Sequence, residues 1–177
     1  MTQEEMHGGA GMPDRWQRLW APHRMSYLEG ENRPLPGNAI ECPFCRILKL
    51  SDEDGLIVAR GKEAYVVMNL YPYNAGHLLI CSNRHVADLT ELTTSERDEI
   101  FELSAHAMKT IRKVSGAAGF NLGMNQGAVS GAGVGEHIHQ HVIPRWAGDA
   151  NFMPLIGQTK VLPQLLNDTR AQLAAAW

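Results

Sequence analysis

The sequence predicts an α+β fold with a mainly antiparallel sheet, one long helix and a C-terminal helix. Short apolar segments separated by turns rich in Gly, Pro and Asn predict strands. One longer stretch has apolar residues at spacings of three and four, which is typical of a helix that buries one side. Strands interrupted by only one long helix are typical of the α+β class.

Five strands are predicted along the chain. The first two flank a short Gly-Lys turn at residues 61–62, and the third follows the turn-rich stretch YPYNAG. The last two lie on either side of a glycine-rich loop that follows Asn125. The predicted strands are 55–60, 64–69, 77–82, 120–125 and 137–144.

The long helix is predicted between the third and fourth strands. Thr94 or Ser95 is its expected N-cap, because a hydroxyl there accepts a hydrogen bond from the first turn. Gly116 and Gly119 are expected to end it. The apolar residues that predict its buried side are Ile100, Leu103, Ala107, Ile111 and Val114. The C-terminal helix is predicted over 160–177, with one side formed by Leu162, Leu165, Leu166, Thr169 and Leu173.

Composition places the chain among ordinary globular proteins. It has 177 residues, of which 44% are hydrophobic and 20% charged. A net charge of −3 gives no overall affinity for nucleic acid, and no apolar run approaches the ~20 residues of a membrane span. The acidic N-terminus lacks the parts of a signal peptide, so we expect a cytoplasmic protein. Residues 1–39 are predicted to be an extension, partly disordered or helical, and 40–177 the compact domain with its helical tail.

Three histidines occupy alternate positions in the last predicted strand. Side chains of a strand point to alternate faces, so His137, His139 and His141 are expected on one face, about 7 Å apart along the strand. Ile138 and Val142 are then expected to face a core. Three imidazoles on one face bring no packing advantage, which favours a chemical role over a structural one.

Two chemical roles fit this row of histidines. Neutral imidazole is a frequent zinc ligand, so the row can bind a catalytic metal. Alternatively, one imidazole is a nucleophile, since histidine with a pKa of ~6.5 is largely neutral near neutral pH. The preceding loop, 125–135, is rich in glycine, and successive backbone N–H groups in such a loop can bind phosphate. The combination favours phosphoryl or nucleotidyl transfer.

Two of the three cysteines form a Cys-Pro-Phe-Cys motif near the start of the predicted domain. Cys42 and Cys45 have the spacing at which two thiolates bind one tetrahedral zinc. A redox pair is the alternative, but it needs a βαβ context that the flanking sequence lacks. Three cysteines are too few for a disulfide scaffold, and Cys81 is expected to be an ordinary buried thiol.

The sequence resembles the histidine triad family. Residues 137–143 match the pattern His-φ-His-φ-His-φ-φ, where φ is apolar, except that Gln140 occupies one apolar position. Residues 67–80 are similar to the nucleoside-binding strand pair of that family, 82–86 to its basic segment with a histidine, and 125–127 to its phosphate loop.

The similarity spans about residues 40–150 of the chain. The sequence from Val142 to Phe152 is most similar to the branch of the family that contains diadenosine tetraphosphate phosphorylases and ATP adenylyltransferases. The resemblance therefore implies an HIT-like fold and an enzyme that acts on dinucleoside polyphosphates.

The resemblance also implies a covalent mechanism. The middle histidine, His139, is expected to attack the α-phosphorus of a bound nucleotide and form a nucleotidyl-histidine, while His141 stabilises charge on the phosphate. Water or inorganic phosphate then accepts the nucleotide. The residues expected to bind the nucleotide or support the site are Asn69 at the ribose, Asn125, Gln126 and Gly127 at the phosphates, Ser130 and Gly133 in the same loop, and His77, which is expected to orient the triad.

A structural zinc is a further implication of the resemblance. In the branches of the family that carry cysteines, the histidine of the basic segment and the first triad histidine complete the site. These match His85 and His137, which with Cys42 and Cys45 make a closed Cys2His2 set. Four protein ligands leave no coordination position open for catalysis.

One position departs from the family pattern. Family members carry Ser or Thr three or four residues before the first histidine, where this chain has Val134 and Gly133. Backbone amides or Ser130 are then left to contact the leaving group. The preferred reaction is phosphorolysis of diadenosine tetraphosphate to ADP and ATP. The alternatives are hydrolysis of diadenosine polyphosphates or nucleoside phosphoramidates, and a nucleotide-binding module with weak catalysis. Because family members pair through the helix and an edge strand, a homodimer or homotetramer is expected.

Overall fold

The computed structural model describes residues 41–149 and 161–177. The strands of this part form one antiparallel sheet in the order β1-β2-β3-β5-β4. They are β1 (Ile57–Arg60), β2 (Ala64–Met68), β3 (Leu78–Ser82), β4 (Gly119–Met124) and β5 (His139–Arg145). The α-helices of the described residues are α1 (Pro43–Ile47), α2 (Thr94–Ser115) and α3 (Leu166–Ala176). The predicted α+β class is confirmed.

The two faces of the sheet pack against different helices. On β2, Val66 belongs to the main hydrophobic cluster with α2, whereas its neighbour Tyr65 belongs to a second cluster with Phe44 of α1. On β5, His139 lies opposite Cys81 of β3, which is another member of the second cluster. The histidines of β5 therefore face α1, on the side of the sheet away from the long helix.

The ends of α2 follow from its sequence. Thr93, one residue before the predicted caps Thr94 and Ser95, is the N-cap, and its side chain accepts a hydrogen bond from the N–H of Glu96. Glu96 in turn accepts from the N–H of Thr93, which completes a capping box. At the other end Gly116 has φ 65°, a left-handed conformation that glycine adopts readily.

The last strand begins later than predicted. Pairing between β3 and β5 ends at Cys81 and His139, so His137 precedes the strand. The N–H of Ile138 donates instead to the carbonyl of Val86, beyond the end of β3, at 2.7 Å. The prediction that His137 lies in the strand is therefore wrong, because β3 has ended and offers this residue no partner.

Two other element boundaries differ from the prediction. α3 begins at Leu166 and not at residue 160, and Leu165, which was predicted on its buried side, is 73% exposed. Pro163 lies just before the helix and lacks the N–H that an earlier helical turn would need. The short helix α1 was not predicted; its first residue is Pro43, which suits a first helical position.

The predicted extension, residues 1–39, lies outside the described residues. Within the described ranges, no helix combines the length and the apolar character that a bilayer crossing requires.

Candidate active site and metal cluster

The three histidines of the triad lie together on the face of the sheet that packs against α1, and all three are buried. His139 and His141 are neighbours on β5, with ring centroids 5.0 Å apart. His137 contacts Phe44 of α1 at 5.5 Å between centroids, and His139 contacts the same ring at 4.9 Å. Val142 faces the opposite side, in the main core. The predicted alternation of faces is therefore what the structure shows along β5.

Hydrogen bonding determines which nitrogen of His139 carries its proton. The Nδ1 atom lies 2.8 Å from the backbone carbonyl of His137, which can only accept. Nδ1 must therefore be the protonated nitrogen of the neutral ring. The Nε2 atom then carries the lone pair, and no described residue forms a hydrogen bond with it. This is the tautomer that a nucleophilic imidazole needs.

His141 has the opposite tautomer. The backbone N–H of Tyr73 donates to Nδ1 of His77 at 3.0 Å, so the proton of His77 is on Nε2. That Nε2–H donates to Nδ1 of His141 at 2.9 Å. His141 therefore carries its own proton on Nε2. Among the described residues, this Nε2 is the buried side-chain polar atom that has no hydrogen-bond partner. An unsatisfied buried donor is costly, so this N–H is available for a ligand.

Burial keeps these imidazoles neutral. The loss of hydration lowers the pKa of His139, although the hydrogen bond to the His137 carbonyl partly opposes the change. Burial and the nearby His139 ring lower the pKa of His141 to about 4. Near neutral pH the site therefore presents an imidazole lone pair on His139 beside an N–H donor on His141.

Cys42, Cys45, His85 and His137 form a cluster that can hold a metal ion. Their ligand atoms all lie within 4.8 Å of one another. The Nδ1 atom of His137 is 3.5 Å from the sulfur of Cys42, 3.6 Å from that of Cys45 and 3.3 Å from Nδ1 of His85. The sulfur of Cys45 is 3.4 Å from Nδ1 of His85. Two thiols and two imidazoles at these distances are close enough together to bind one ion.

His137 links this cluster to the triad. Its Nε2–H donates to the carbonyl of Ser82 at 2.8 Å, so its Nδ1 lone pair faces the cysteines. Its backbone carbonyl accepts from Nδ1 of His139. His137 thus has two roles. The hydrogen bond of its side chain directs its own Nδ1 toward the metal cluster, and its backbone carbonyl orients the imidazole of His139.

Asn69, which was expected to contact the ribose, lies beside the chain of hydrogen bonds that runs from Tyr73 through His77 to His141. Its Oδ1 accepts from the N–H of Tyr71 at 3.0 Å, and its Nδ2 lies 3.2 Å from Nδ1 of His77. In this conformation its amide contributes to the turn after β2. The ring of Tyr73 covers the same region, lying at 12° to the plane of His141 with centroids 5.7 Å apart.

The residues predicted in the glycine-rich loop have different surroundings. Asn125 is half-buried, and Oε1 of Gln126 accepts from the N–H of Leu89 at 2.6 Å. Gly127 has φ 76°, in the left-handed region. The hydroxyl of Ser130 donates to the carbonyl of Gly127 at 2.8 Å, so this hydroxyl is used within the loop. Gly133 is exposed.

Sequence reasoning did not assign a role to three residues of the site. Phe44 lies under two triad rings, and its carbonyl accepts from the hydroxyl of Tyr65 at 2.9 Å. Its position inside the Cys-Pro-Phe-Cys motif was the one available signal. The hydrogen bonds of Tyr73 and Leu89 in the site come from backbone N–H groups, for which residue type carries no signal, although the ring of Tyr73 also packs on His141.

A separate concavity of about 550 Å³ lies on the helical face, lined by residues of α2, α3 and 146–149. It contains none of the predicted site residues.

Residues 51–148 match the family described as HIT domain. The chain belongs to this family. The AP-4-A phosphorylase of Mycobacterium tuberculosis is 49% identical to it over 172 residues, which cover 96% of this chain and 88% of that protein. This HIT protein is therefore similar to that relative along nearly its whole length.

Solved structures of other HIT proteins have the same fold. A hypothetical histidine triad nucleotide-binding protein of Sulfolobus tokodaii has a TM-score of 0.63 at 23% identity, over 76% of this chain and 91% of that one. A Zn-bound histidine triad family protein of Mycobacterium smegmatis has a TM-score of 0.61 at 23% identity, over 77% of this chain and 92% of that one. At this identity the likeness shows the fold alone.

Proposed function

We propose that this HIT protein transfers an adenylyl group from diadenosine tetraphosphate to inorganic phosphate, giving ADP and ATP. The observation that carries the chemistry is the pair of opposite tautomers: a lone pair on Nε2 of His139 next to an unpartnered N–H on Nε2 of His141. Similarity along nearly the whole chain to an AP-4-A phosphorylase supports the substrate and the acceptor.

In the first step Nε2 of His139 attacks the α-phosphorus of one adenosine. A P–N bond forms, the P–O bond to the remaining polyphosphate breaks, and ATP leaves. The carbonyl of His137 holds the proton on Nδ1 of His139 throughout, so the ring becomes a cation that this carbonyl stabilises. The N–H of His141 donates to a phosphate oxygen, where negative charge develops.

In the second step inorganic phosphate attacks the adenylyl-histidine. An oxygen of phosphate forms the new P–O bond, the P–N bond breaks, and ADP leaves with His139 restored as a neutral imidazole. Asn125 and the backbone N–H groups after Gly127 are the groups of the glycine-rich loop that we assign to the phosphates.

We assign zinc to the metal cluster. Tetrahedral zinc with sulfur at about 2.3 Å and nitrogen at about 2.05 Å requires about 3.6 Å between sulfur and nitrogen ligands and about 3.3 Å between two nitrogens. The distances of 3.4–3.6 Å and 3.3 Å in the cluster fit this requirement. Such an ion would be structural: four protein ligands fix α1 and His137 beside the triad and leave no coordination position for substrate.

We also propose that copies of the chain associate through β4. This strand is an edge of the sheet, and its Leu122 is 45% exposed. Within the described sheet β4 pairs with β5 on one side only, so its other side offers backbone groups to a second strand, which supports the expected homodimer or homotetramer. Light scattering coupled to size exclusion, on the native chain and on Leu122→Lys, tests this. A native monomer would contradict it.

The products formed with and without phosphate test the proposed reaction. With diadenosine tetraphosphate and phosphate we expect ADP and ATP in equal amounts, and with labelled phosphate we expect the label in ADP. Formation of ATP and AMP, or of two ADP, at a rate independent of phosphate would show a hydrolase instead. Binding of AMP without turnover would show a nucleotide-binding module.

A further inference from the structure

The glycine-rich loop is held at both ends by one short segment, residues 86–89. Before the loop, Oε1 of Gln126 accepts a hydrogen bond from the N–H of Leu89 at 2.6 Å. After the loop, the N–H of Ile138 donates to the carbonyl of Val86 at 2.7 Å. The start and the end of the loop therefore share one anchor, although the anchor lies far from both in sequence.

This anchoring segment is itself well fixed. Val86 is buried, and His85 just before it belongs to the metal cluster. At the other end, Oδ1 of Asp88 accepts from both the N–H and the hydroxyl of Thr90, at 2.8 Å each, and so caps the short 3-10 helix Leu89–Glu91. Because Leu89 is held in place, its backbone N–H can fix the position of the side chain that accepts a hydrogen bond from it.

The first half of the loop has little else to hold it. A Cβ added at Gly127 would meet nothing within 4 Å, and Val129 is fully exposed. Both the N–H and the hydroxyl of Ser130 bond to the carbonyl of Gly127, which leaves them inside the loop. Burial returns only at Ala132, which is 4% exposed. The path of the chain from residue 127 to 131 therefore depends on the contact made by Gln126.

We propose that Gln126 is a positioning residue whose carbonyl oxygen, held by the N–H of Leu89, fixes the start of the glycine-rich loop. The proposal rests on the proposed nucleotidyl transfer and replaces the expectation that Gln126 holds the phosphates itself. Its carbonyl oxygen, an acceptor that is already paired with Leu89, does not bind a phosphate oxygen, and the proposal assigns no phosphate contact to the side-chain N–H2. Gln126 acts through the loop, by setting where Asn125 and the backbone N–H groups meet the phosphates.

The donor can be removed without changing Gln126. Leu89 is the first residue of its 3-10 helix, where proline is tolerated, and Asp88 has φ −120° and ψ 142°, the conformation that a residue before proline adopts. Leu89→Pro deletes the N–H, and Leu89→Ala is its control because it shortens the side chain but keeps the N–H. Gln126→Met removes the acceptor at similar length, and Gln126→Glu keeps an acceptor oxygen.

Hydrogen exchange of the free proteins is the first measurement. The amide of Ser130, whose N–H donates to the carbonyl of Gly127 within the loop, is expected to exchange roughly tenfold faster in Leu89→Pro and in Gln126→Met than in the native chain, and to keep native protection in Leu89→Ala and Gln126→Glu. Amides of β5 are expected to be unchanged. Native protection in Gln126→Met would overturn the proposal, whether or not the protein has the proposed activity. If Leu89→Pro does not fold, the Gln126 variants still decide this point.

A double-mutant cycle on adenylyl transfer is the second measurement. Leu89→Pro and Gln126→Met are each expected to lower kcat/KM for diadenosine tetraphosphate about tenfold, and the double variant is expected to be no slower than either single one, because both changes delete the same hydrogen bond. A loss in Gln126→Met with native kcat/KM in Leu89→Pro would show that Gln126 touches the phosphates directly. Losses that multiply would also contradict the proposal.

Discussion

Nε2 of His77 lies 2.9 Å from Nδ1 of His141, although 64 residues separate them in sequence. Because Nδ1 of His77 accepts from the backbone N–H of Tyr73, this contact can only run as a donation from His77 to His141. The donation places the proton of His141 on Nε2. A backbone N–H thus determines, through two imidazoles, that the site presents a hydrogen-bond donor.

Replacing His77 should slow adenylyl transfer, because it removes the hydrogen bond that fixes the tautomer of His141. In His77→Ala the ring of His141 can adopt either tautomer, so we expect the rate of adenylyl-histidine formation to fall about tenfold, as loss of ~1.4 kcal/mol would give. His77→Gln is the matched control, because its amide N–H2 can donate where Nε2 does. Rapid-quench measurement of the first turnover decides the point. If the glutamine variant is as slow as the alanine variant, donation from residue 77 is not what matters.

His139 is the residue on which the covalent step depends. His139→Ala should abolish adenylyl transfer, because no described neighbour presents another imidazole lone pair in the same position. The native protein incubated with labelled diadenosine tetraphosphate without phosphate should carry one adenylyl group, found by peptide mapping on residue 139. His106→Ala is the control: that histidine packs against Trp177, away from the triad, and the variant should label normally. A labelled peptide lacking residue 139 would contradict the assignment.

Much of the site could be predicted from local sequence patterns. The period of two in a strand correctly placed His139 and His141 on one face and Val142 on the other. The spacing of Cys42 and Cys45 was sufficient to expect that a single ion could bind both. These features depend on residues only a few positions apart, where the geometry of the chain itself determines the distances.

The contacts that control the chemistry could not be predicted in the same way. The bond from Leu89 to Gln126 joins residues 37 positions apart, and the bond from Tyr73 to His77 uses a backbone N–H that any residue but proline offers. His137 was placed in the strand because the alternating pattern starts there, and only the end of β3 shows that it lies outside. Such features follow from tertiary packing, on which a local pattern carries no information.

The metal cluster should contribute stability and not a catalytic ligand. Cys45→Ala is expected to lose zinc and to unfold at a markedly lower temperature, because a bound structural ion stabilises only the folded chain. Cys81→Ala is the matched control: Cys81 is buried in the same face of the sheet but lies outside the cluster, so its loss should retain zinc and cost roughly 1 kcal/mol. Metal analysis and thermal unfolding of both variants provide the comparison.

Chelation separates this role from that of a catalytic metal. With a chelator present, we expect the unfolding temperature to fall while turnover measured immediately after mixing stays close to native. Prompt loss of turnover that added zinc restores, without change in unfolding temperature, would point to a metallohydrolase instead.

Acidification should destabilise the fold through His141. Its pKa is lowered to about 4 by burial, whereas the same side chain in the unfolded chain has a pKa of ~6.5. As the pH falls between these values the unfolded chain binds the proton and the folded chain does not, so the free energy of unfolding decreases from about pH 6.5 to about pH 4. Glu96 contributes only at the lower end of this window: its hydrogen bonds with Arg84 lower its pKa to about 2, so its stabilising effect begins to be lost only below ~4.5.

His141→Gln tests this dependence, because glutamine retains polar groups but does not titrate. Urea unfolding at about pH 7 and about pH 5, with zinc in excess so that the metal cluster stays filled, should show a smaller loss of unfolding free energy in the variant than in the native chain. Some loss should remain, since burial also lowers the pKa values of His137 and His139. Identical losses in the two proteins would mean that His141 is charged as easily in the folded chain as in the unfolded one, and its role as a neutral donor near neutral pH would then lack support.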